Sequence, residues 1–423
     1  MHEDHPVQLI VEDDLVRTRL TVFFRILLAI PHLIWLFLWT IGTLFAAIAT
    51  WIATLVRGQP PAGLHRFMCK YVRYVTHLNA YLWLVGNPYP GFVGEAGEYP
   101  IDVRLPEPAP QKRWKTAIRI VLVVPALILS TALGGGGNVR FSTGNSSRTS
   151  AYSGGGGALA TVVAVLGWFA SVVRGRMPKG LRDAGAYSAG YTAQMLAYLL
   201  FVTDRYPNAD PTAMLAGVER PPEHPVHLIG DADDLRFSRV TVFFRLPLLI
   251  PHLVWLALWS VAAVLAAIAN WFATLFAGIP PAALHQFLER YVRYSLHVNA
   301  FGYLAANPFP GFAGAPGSYP LDLVLPARAG QNRWKTGFRL LLAIPAAFVN
   351  GALGWGLAAA AMLTWFVALV TGAAPWGLRN YSAYALRYGA QLNAYAFLLT
   401  EAYPHASPLE GAPEAQPVFA EVA

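Results

Sequence analysis

The sequence is short of charge and has almost no sulfur available for cross-linking. Charged residues make up 13% of its 423 positions, against about 25% in soluble domains. A soluble fold with half the usual share could not cover its surface, which excludes ordinary secreted, disordered and nucleic-acid-binding classes. The one cysteine is Cys69, so neither a disulfide framework nor a cysteine-based metal site can form within the chain. Acidic residues are missing from every long hydrophobic run. Proton relays and ion-coupled carriers generally need an intramembrane acid, so this absence counts against them. Residues 1–6 lack the basic region and apolar core of a cleaved leader. The first hydrophobic segment, beginning near Val22, is therefore expected to direct insertion.

What the chain has in quantity is apolar surface. Hydrophobic residues reach 55% and the mean hydropathy is +0.42, which together predict an all-α integral membrane protein. The net charge of +8 comes from 31 Lys+Arg against 23 Asp+Glu. In a membrane protein that excess fits cytoplasmic loops facing anionic lipid, not a nucleic-acid site.

The chain repeats itself. Residues 5–130 return at 224–350, with TVFFRILLAIPHLIWLFLW answered by TVFFRLPLLIPHLVWLALW. Each half also holds two copies of a smaller unit. Arg25, Arg119, Arg245 and Arg339 stand before Pro31, Pro125, Pro251 and Pro345 at constant spacing. Trp51, Trp168, Trp271 and Trp365 likewise precede Gly58, Gly175, Gly278 and Gly372. The reading is a tandem duplication of a two-unit repeat, giving four quasi-repeats at 1–93, 94–207, 224–313 and 314–404. The second carries a Gly/Ser insert at 134–157, a linker covers 208–223, and 405–423 is a Pro/Ala/Glu-rich tail expected to be disordered.

Each repeat opens with Pro followed by period-two alternation, as in Pro100-Ile-Asp-Val-Arg-Leu, the pattern of a short strand. Four such strands are able to form one small sheet at the membrane surface. A long apolar run follows. As a single helix the run from Ile26 to Val56 would measure about 46 Å, against a hydrocarbon core of about 30 Å. The polar insert falls in the middle of the matching run of repeat two, and a polar loop cannot lie in hydrocarbon. A hydrophobic helical hairpin is therefore expected in each repeat, with arms of roughly 24 Å, the basic flanks on one side and both termini cytoplasmic. A third element, from Leu64 to Val85, has helical periodicity with a largely basic polar face and reads as an amphipathic interfacial helix.

Phe24 to His32, Arg113-Trp-Lys-Thr and Gly175 to Asp183 give the chain a resemblance to the bacterial membrane family catalogued as domain of unknown function 4389. The resemblance covers nearly the whole chain and implies a multi-pass protein of the bacterial inner membrane. It carries no established activity, so it transfers no catalytic residue.

The histidines invite a metal reading. His32, His65 and His77 recur as His252, His285 and His297, but only in the odd repeats. His65 and His77 lie about 18 Å apart along one helix and cannot share an ion alone. No metal and no cofactor is expected. Lipid headgroups are the expected partners of Arg25, Arg119, Arg245 and Arg339, and of Arg66, Lys70, Arg73, Arg290 and Arg293. For the first four, a positive-inside anchor without specificity is almost the same physical claim. His77, Asn79, Gln194, His297, Asn299, Gln391 and Asn393 recur on the third element as a candidate polar cluster, with hydrogen bonding between repeats the favoured role. The four tryptophans read as aromatic-belt anchors.

These features favour a non-enzymatic protein that organises or scaffolds the bilayer and engages anionic lipid, an architecture resembling reticulon-like hairpin proteins. A transporter or channel with a path between the repeated helices is the alternative. An intramembrane enzyme has no nucleophile–base pair to name. The partners expected are the bilayer and its anionic lipids, not nucleic acid. No protein partner can be named, and self-association into a homo-oligomer stays open.

Overall fold

The alternating segments after Pro6, Pro100, Pro225 and Pro320 form four short strands: β1 (Gln8–Val11), β2 (Ile101–Arg104), β3 (His227–Gly230) and β4 (Leu321–Val324). The structure is a computed structural model describing residues 5–134, 158–215, 217–230 and 236–411. The strands pair antiparallel as two two-stranded sheets, β1 with β2 and β3 with β4, and not as one four-stranded sheet. Gln8 faces Arg104 and Val11 faces Ile101 in the first; His227 faces Val324 in the second.

The remaining elements are helices. A five-residue helix leads each repeat: α1 (Arg19–Phe23), α4 (Arg113–Ala117), α9 (Arg239–Phe243) and α12 (Arg333–Gly337). The apolar runs follow as α2 (Arg25–Arg57), α5 (Arg119–Gly134) with α6 (Leu159–Arg174), α10 (Arg245–Ala277) and α13 (Arg339–Thr371). A 21-residue helix completes each repeat: α3 (Ala62–Leu82), α7 (Lys179–Leu199), α11 (Ala282–Gly302) and α14 (Trp376–Ala396). One further short helix, α8 (Pro211–Met214), lies after the second repeat.

The hairpin expectation is corrected in three repeats, where α2, α10 and α13 are continuous helices of 33 residues. Only the second repeat is interrupted, between α5 and α6. The physical reason is local. Without the insert, nothing between Leu38 and Trp51 offers a turn stronger than the single Gly42, and a lone glycine costs a helix only about 1 kcal/mol. Each run ends where φ must turn positive. Gly58, Gly175, Gly278 and Gly372 take φ between 69° and 78° and send their N–H to a carbonyl four residues back. Residues 135–157 of the insert lie outside the described residues.

Two compact bodies result, one of Met1–Ala216 with Phe348–Leu363, the other of Gly217–Ala347 with Thr364–Ala423. In the first, α3 packs on α2 and α7, and α7 also takes α5 and α6. Met68, Val72, Val75, Ala193 and Ala197 are buried where α3 meets α7. In the second, α11 packs on α10 and α14. The four repeated tryptophans are half-buried, each with its indole N–H on a backbone carbonyl.

Part of the segment read as a linker is structured. Asp210 caps α8 by accepting from the Thr212 N–H, and Met214 and Leu215 are buried. The first residues of the expected disordered tail are also packed. Ser407 and Leu409 are buried, and Tyr384 donates its hydroxyl to the Ala406 carbonyl at 2.7 Å. Residues 412–423 lie outside the described residues.

Candidate functional site

The four repeated arginines are the first residues of α2, α5, α10 and α13, and the structure encloses them instead of presenting them to lipid. None is more than 2% exposed. Each reaches the C-terminal end of the 21-residue helix in its own repeat. Arg25 donates from Nη1 to the carbonyls of Tyr81 at 2.7 Å and Gly86 at 3.1 Å. Arg119 donates to the carbonyls of Tyr198 at 2.8 Å and Thr203 at 3.1 Å, and pairs with Asp204 at 2.9 Å. Arg245 binds the carbonyls of Phe301 and Ala306. Arg339 binds the carbonyl of Thr400 and the side chain of Gln331.

Those helix ends carry carbonyls without intrahelical donors and the negative end of the macrodipole. A planar, permanently charged fork suits them better than water can in a buried place. The ends are also unusual in their backbone. Leu84, Phe201, Leu304 and Leu398, where glycine would be ordinary, have φ from 57° to 63°. The guanidinium groups lie 4.3, 4.6, 4.2 and 4.2 Å from the ring centroids of Tyr81, Tyr198, Phe301 and Tyr395. These arginines are internal caps.

A second constellation is present once in each body. Asp102 on β2 is 6% exposed. Its Oδ1 accepts from His77 Nε2 at 3.0 Å, Arg73 Nε at 3.0 Å and the Val103 N–H at 2.7 Å, and its Oδ2 accepts from the Gly97 N–H at 2.8 Å. The Tyr99 ring stacks on His77 at 5.2 Å. In the other body Asp322 takes His297 Nε2 at 3.0 Å, Arg293 at 3.3 Å and the Leu323 N–H at 2.7 Å, with Tyr319 stacked on His297 at 4.9 Å. Burial alone would push both carboxyls up. The His77, Gly97 and Val103 donors outweigh it for Asp102, and the Leu323, His297 and Gly317 donors for Asp322, so both are held below the usual carboxylate range. Burial also lowers His297 below an ordinary histidine. This arrangement fixes a strand to a helix; it presents no open nucleophile or base.

The other expected headgroup contacts divide. Arg66 and Arg290 are exposed. Lys70 is half-exposed and pairs with Glu95 at 2.6 Å. Arg73 and Arg293 are spent on the aspartates, so they are corrected to internal partners. Nor do the seven polar positions converge on one cluster. Gln194 donates to the Val7 carbonyl at 2.9 Å and accepts from the Asn208 N–H at 2.9 Å. Gln391 does the same with Val226 at 2.9 Å and His405 at 3.1 Å. Asn299 bonds back to Ser295 at 2.8 Å, while Asn79 and Asn393 are half-buried. His77, Gln194, His297 and Gln391 tie their helices to the neighbouring repeat, and Asn299 bonds within its own helix. Sequence reasoning passed over Asp102, Asp322, Tyr99 and Tyr319. The signal was there: an acid at the same place in two alternating strands, Pro100-Ile-Asp and Pro320-Leu-Asp.

What is left uncovered is apolar. Along α2, Arg25, Ala29, His32, Thr43, Thr50 and Thr54 are buried, with Leu36, Trp39, Ala46 and Ala47 half-buried between them. That is one stripe at three- and four-residue spacing down the whole helix. The rest is bare: Ile26 is 79% exposed, Phe37 66%, Phe45 68% and Val56 70%. The same pattern recurs on α10.

Among the described residues three helices are long and apolar enough to cross a membrane, which with the four repeats fits a helical membrane-protein class. The profile described as Domain of unknown function (DUF4389) matches residues 19–93, 155–209, 239–313 and 333–407, and the chain belongs to that family. In the second repeat the match begins late, at the far end of the insert. No curated protein and no solved structure matches the chain.

Proposed function

We propose that the protein is a non-enzymatic organiser or scaffold of the bacterial plasma membrane that engages anionic lipid. The observation that carries this reading is the bare apolar face of α2 and α10, bordered at the helix ends by exposed basic side chains. Arg19, Arg57, Lys112, Arg113, Arg239 and Arg333 are all exposed there. A contiguous face of this size marks a membrane or partner surface, and basic residues near an anionic surface add about 1 kcal/mol each.

Several polar side chains behind that face are already paired, which favours scaffolding over transport. Thr43 and Thr50 donate to carbonyls of their own helix at 2.9 and 2.7 Å. His32 bonds the Tyr74 hydroxyl at 2.9 Å and His252 that of Tyr294 at 2.8 Å. These groups bond within the protein, while Thr54 Oγ1, Thr274 Oγ1 and the Nε2 atoms of His32 and His252 are buried with no partner. Purified protein reconstituted in anionic vesicles, imaged by electron microscopy and assayed for solute flux, tests the reading. Altered vesicle shape without saturable flux is expected. Unchanged shape with saturable flux overturns it in favour of transport.

A further inference from the structure

We infer that α2 and α10 each lie along a leaflet of an anionic bilayer and do not cross it, so that each body is anchored from one side. This rests on the membrane reading above and concerns how the apolar faces are seated. Three observations carry it.

The first is length. Thirty-three residues make a helix of about 50 Å, and fitting that into about 30 Å of hydrocarbon needs a tilt above about 50°. Spanning helices tilt by about 20° on average and up to about 40°. The buried stripe of α2 and α10 also runs from end to end, so neither helix has a segment that leaves the protein to traverse lipid alone.

The second is what lies beside them. α3 runs antiparallel along α2, with Arg25 on Tyr81, His32 on Tyr74 and Thr40 on Tyr71. α11 follows α10 in the same register, through Arg245 on Phe301, His252 on Tyr294 and Ser260 on Tyr291. A transverse α2 would carry α3 to the same depth. The exposed Arg66 and the Lys70–Glu95 pair, whose side chains are 43% and 47% exposed, would then sit in hydrocarbon. A charged side chain there costs about 2.5–3.5 kcal/mol on insertion scales. Laid flat, α2 covers the membrane side while these charges stay in water.

The third is charge. Exposed arginines stand at both ends of the helix: Arg19 just before α2 and Arg57 at its end, where Arg113 Nη2 also donates to the Val56 carbonyl at 3.0 Å. A spanning helix would put these flanks on opposite faces, against the positive-inside rule. A flat helix puts both on one phosphate surface, with the apolar face among the acyl chains.

The experiment uses single cysteines in a Cys69→Ser background. Arg19→Cys and Arg57→Cys are treated with an impermeant maleimide in right-side-out and inverted membrane vesicles. Both are expected to label from the same side; labelling from opposite sides overturns the inference. A nitroxide series at the exposed positions Ile26, Phe37, Phe45 and Val56 supplies an independent readout, because these side chains leave the packing undisturbed. Near-constant shallow depth is expected, and a profile deepest at Phe37 and Phe45 overturns the inference. The vesicle-shape assay stands apart: helices that cross while vesicles still deform would remove this inference and leave the proposed function intact.

Discussion

The indole N–H of Trp51 donates to the backbone carbonyl of Thr116 at 3.0 Å, joining the end of α2 to the lead helix of the next repeat. Trp168 returns the bond, at 3.1 Å, to Val22 in the lead helix of the first. Trp271 with Thr336, at 2.7 Å, and Trp365 with Val242, at 3.0 Å, repeat the exchange in the other body. Two consecutive repeats are thus stitched reciprocally. Trp51→Phe keeps the ring and loses the bond. It should lower stability by about 1 kcal/mol, read as a shift in the denaturant midpoint.

The aspartate constellations hold strands to helices, and their removal leaves charge behind. Asp102→Ala strands Arg73 and His77 in a mostly buried place and should cost about 3–5 kcal/mol. Asp102→Asn keeps part of the hydrogen bonding and should cost less. A thermal melt in detergent that found the two variants equal to wild type would refute a structural role for the cluster.

Acid should unfold the protein in two stages. His297 has a folded value below its unfolded one, as do His5, His65, His224 and His285, all chiefly through burial. The folded state therefore binds fewer protons, and stability is lost as pH falls below about 6.5. Asp102 and Asp322 are lowered too, so their contribution is full above about 4 and disappears as pH falls through their folded values. Melting temperatures measured from pH 8 to pH 3 should decline in both ranges. His297→Gln should remove part of the upper decline and, because His297 is one of the donors that lower Asp322, reduce the lower one as well.

The internal arginine caps should tolerate little. Arg25→Met leaves the carbonyls of Tyr81 and Gly86 without their donor, at about 1–3 kcal/mol for each buried group left unpaired. Arg25→Lys keeps a charge but not the fork, and should recover only part of the loss. Chemical denaturation of the two variants beside wild type ranks them.

Surface arginines should behave in the opposite way. Arg57→Gln with Arg239→Gln should weaken binding to anionic vesicles by about 1 kcal/mol per site and leave the melting temperature unchanged. A vesicle co-sedimentation series at increasing salt checks this, since the difference should shrink as charge is screened.

Recurrence made the four repeats legible, together with Arg25 and its counterparts, the closing glycines and the tryptophans. Partners were not legible. Arg25 looks from its position like a lipid anchor, because the carbonyls it binds lie more than fifty residues further along the chain. The hairpin reading failed for a related reason. It extended to all repeats a polar insert that is present in one, where the neighbouring sequence supplies no turn of its own. Asp102 escaped because a charged residue in a short strand resembles an ordinary solvent-facing position until its partner helix is in place.

The pairing of β1 with β2 also sets an order of events at the ribosome. Val7 waits for Gln194, Gln8 for Arg104 and Val22 for Trp168, so nothing the first repeat makes on its own closes its edges. Synthesis must pass the end of α7 before any part of the first body is complete. Before β2 and Trp168 emerge, β1 has no partner strand and the Val22 carbonyl no indole. A chain cut after the first repeat should therefore behave as a half-made object, with β2 and Trp168, the partners of β1 and Val22, both missing.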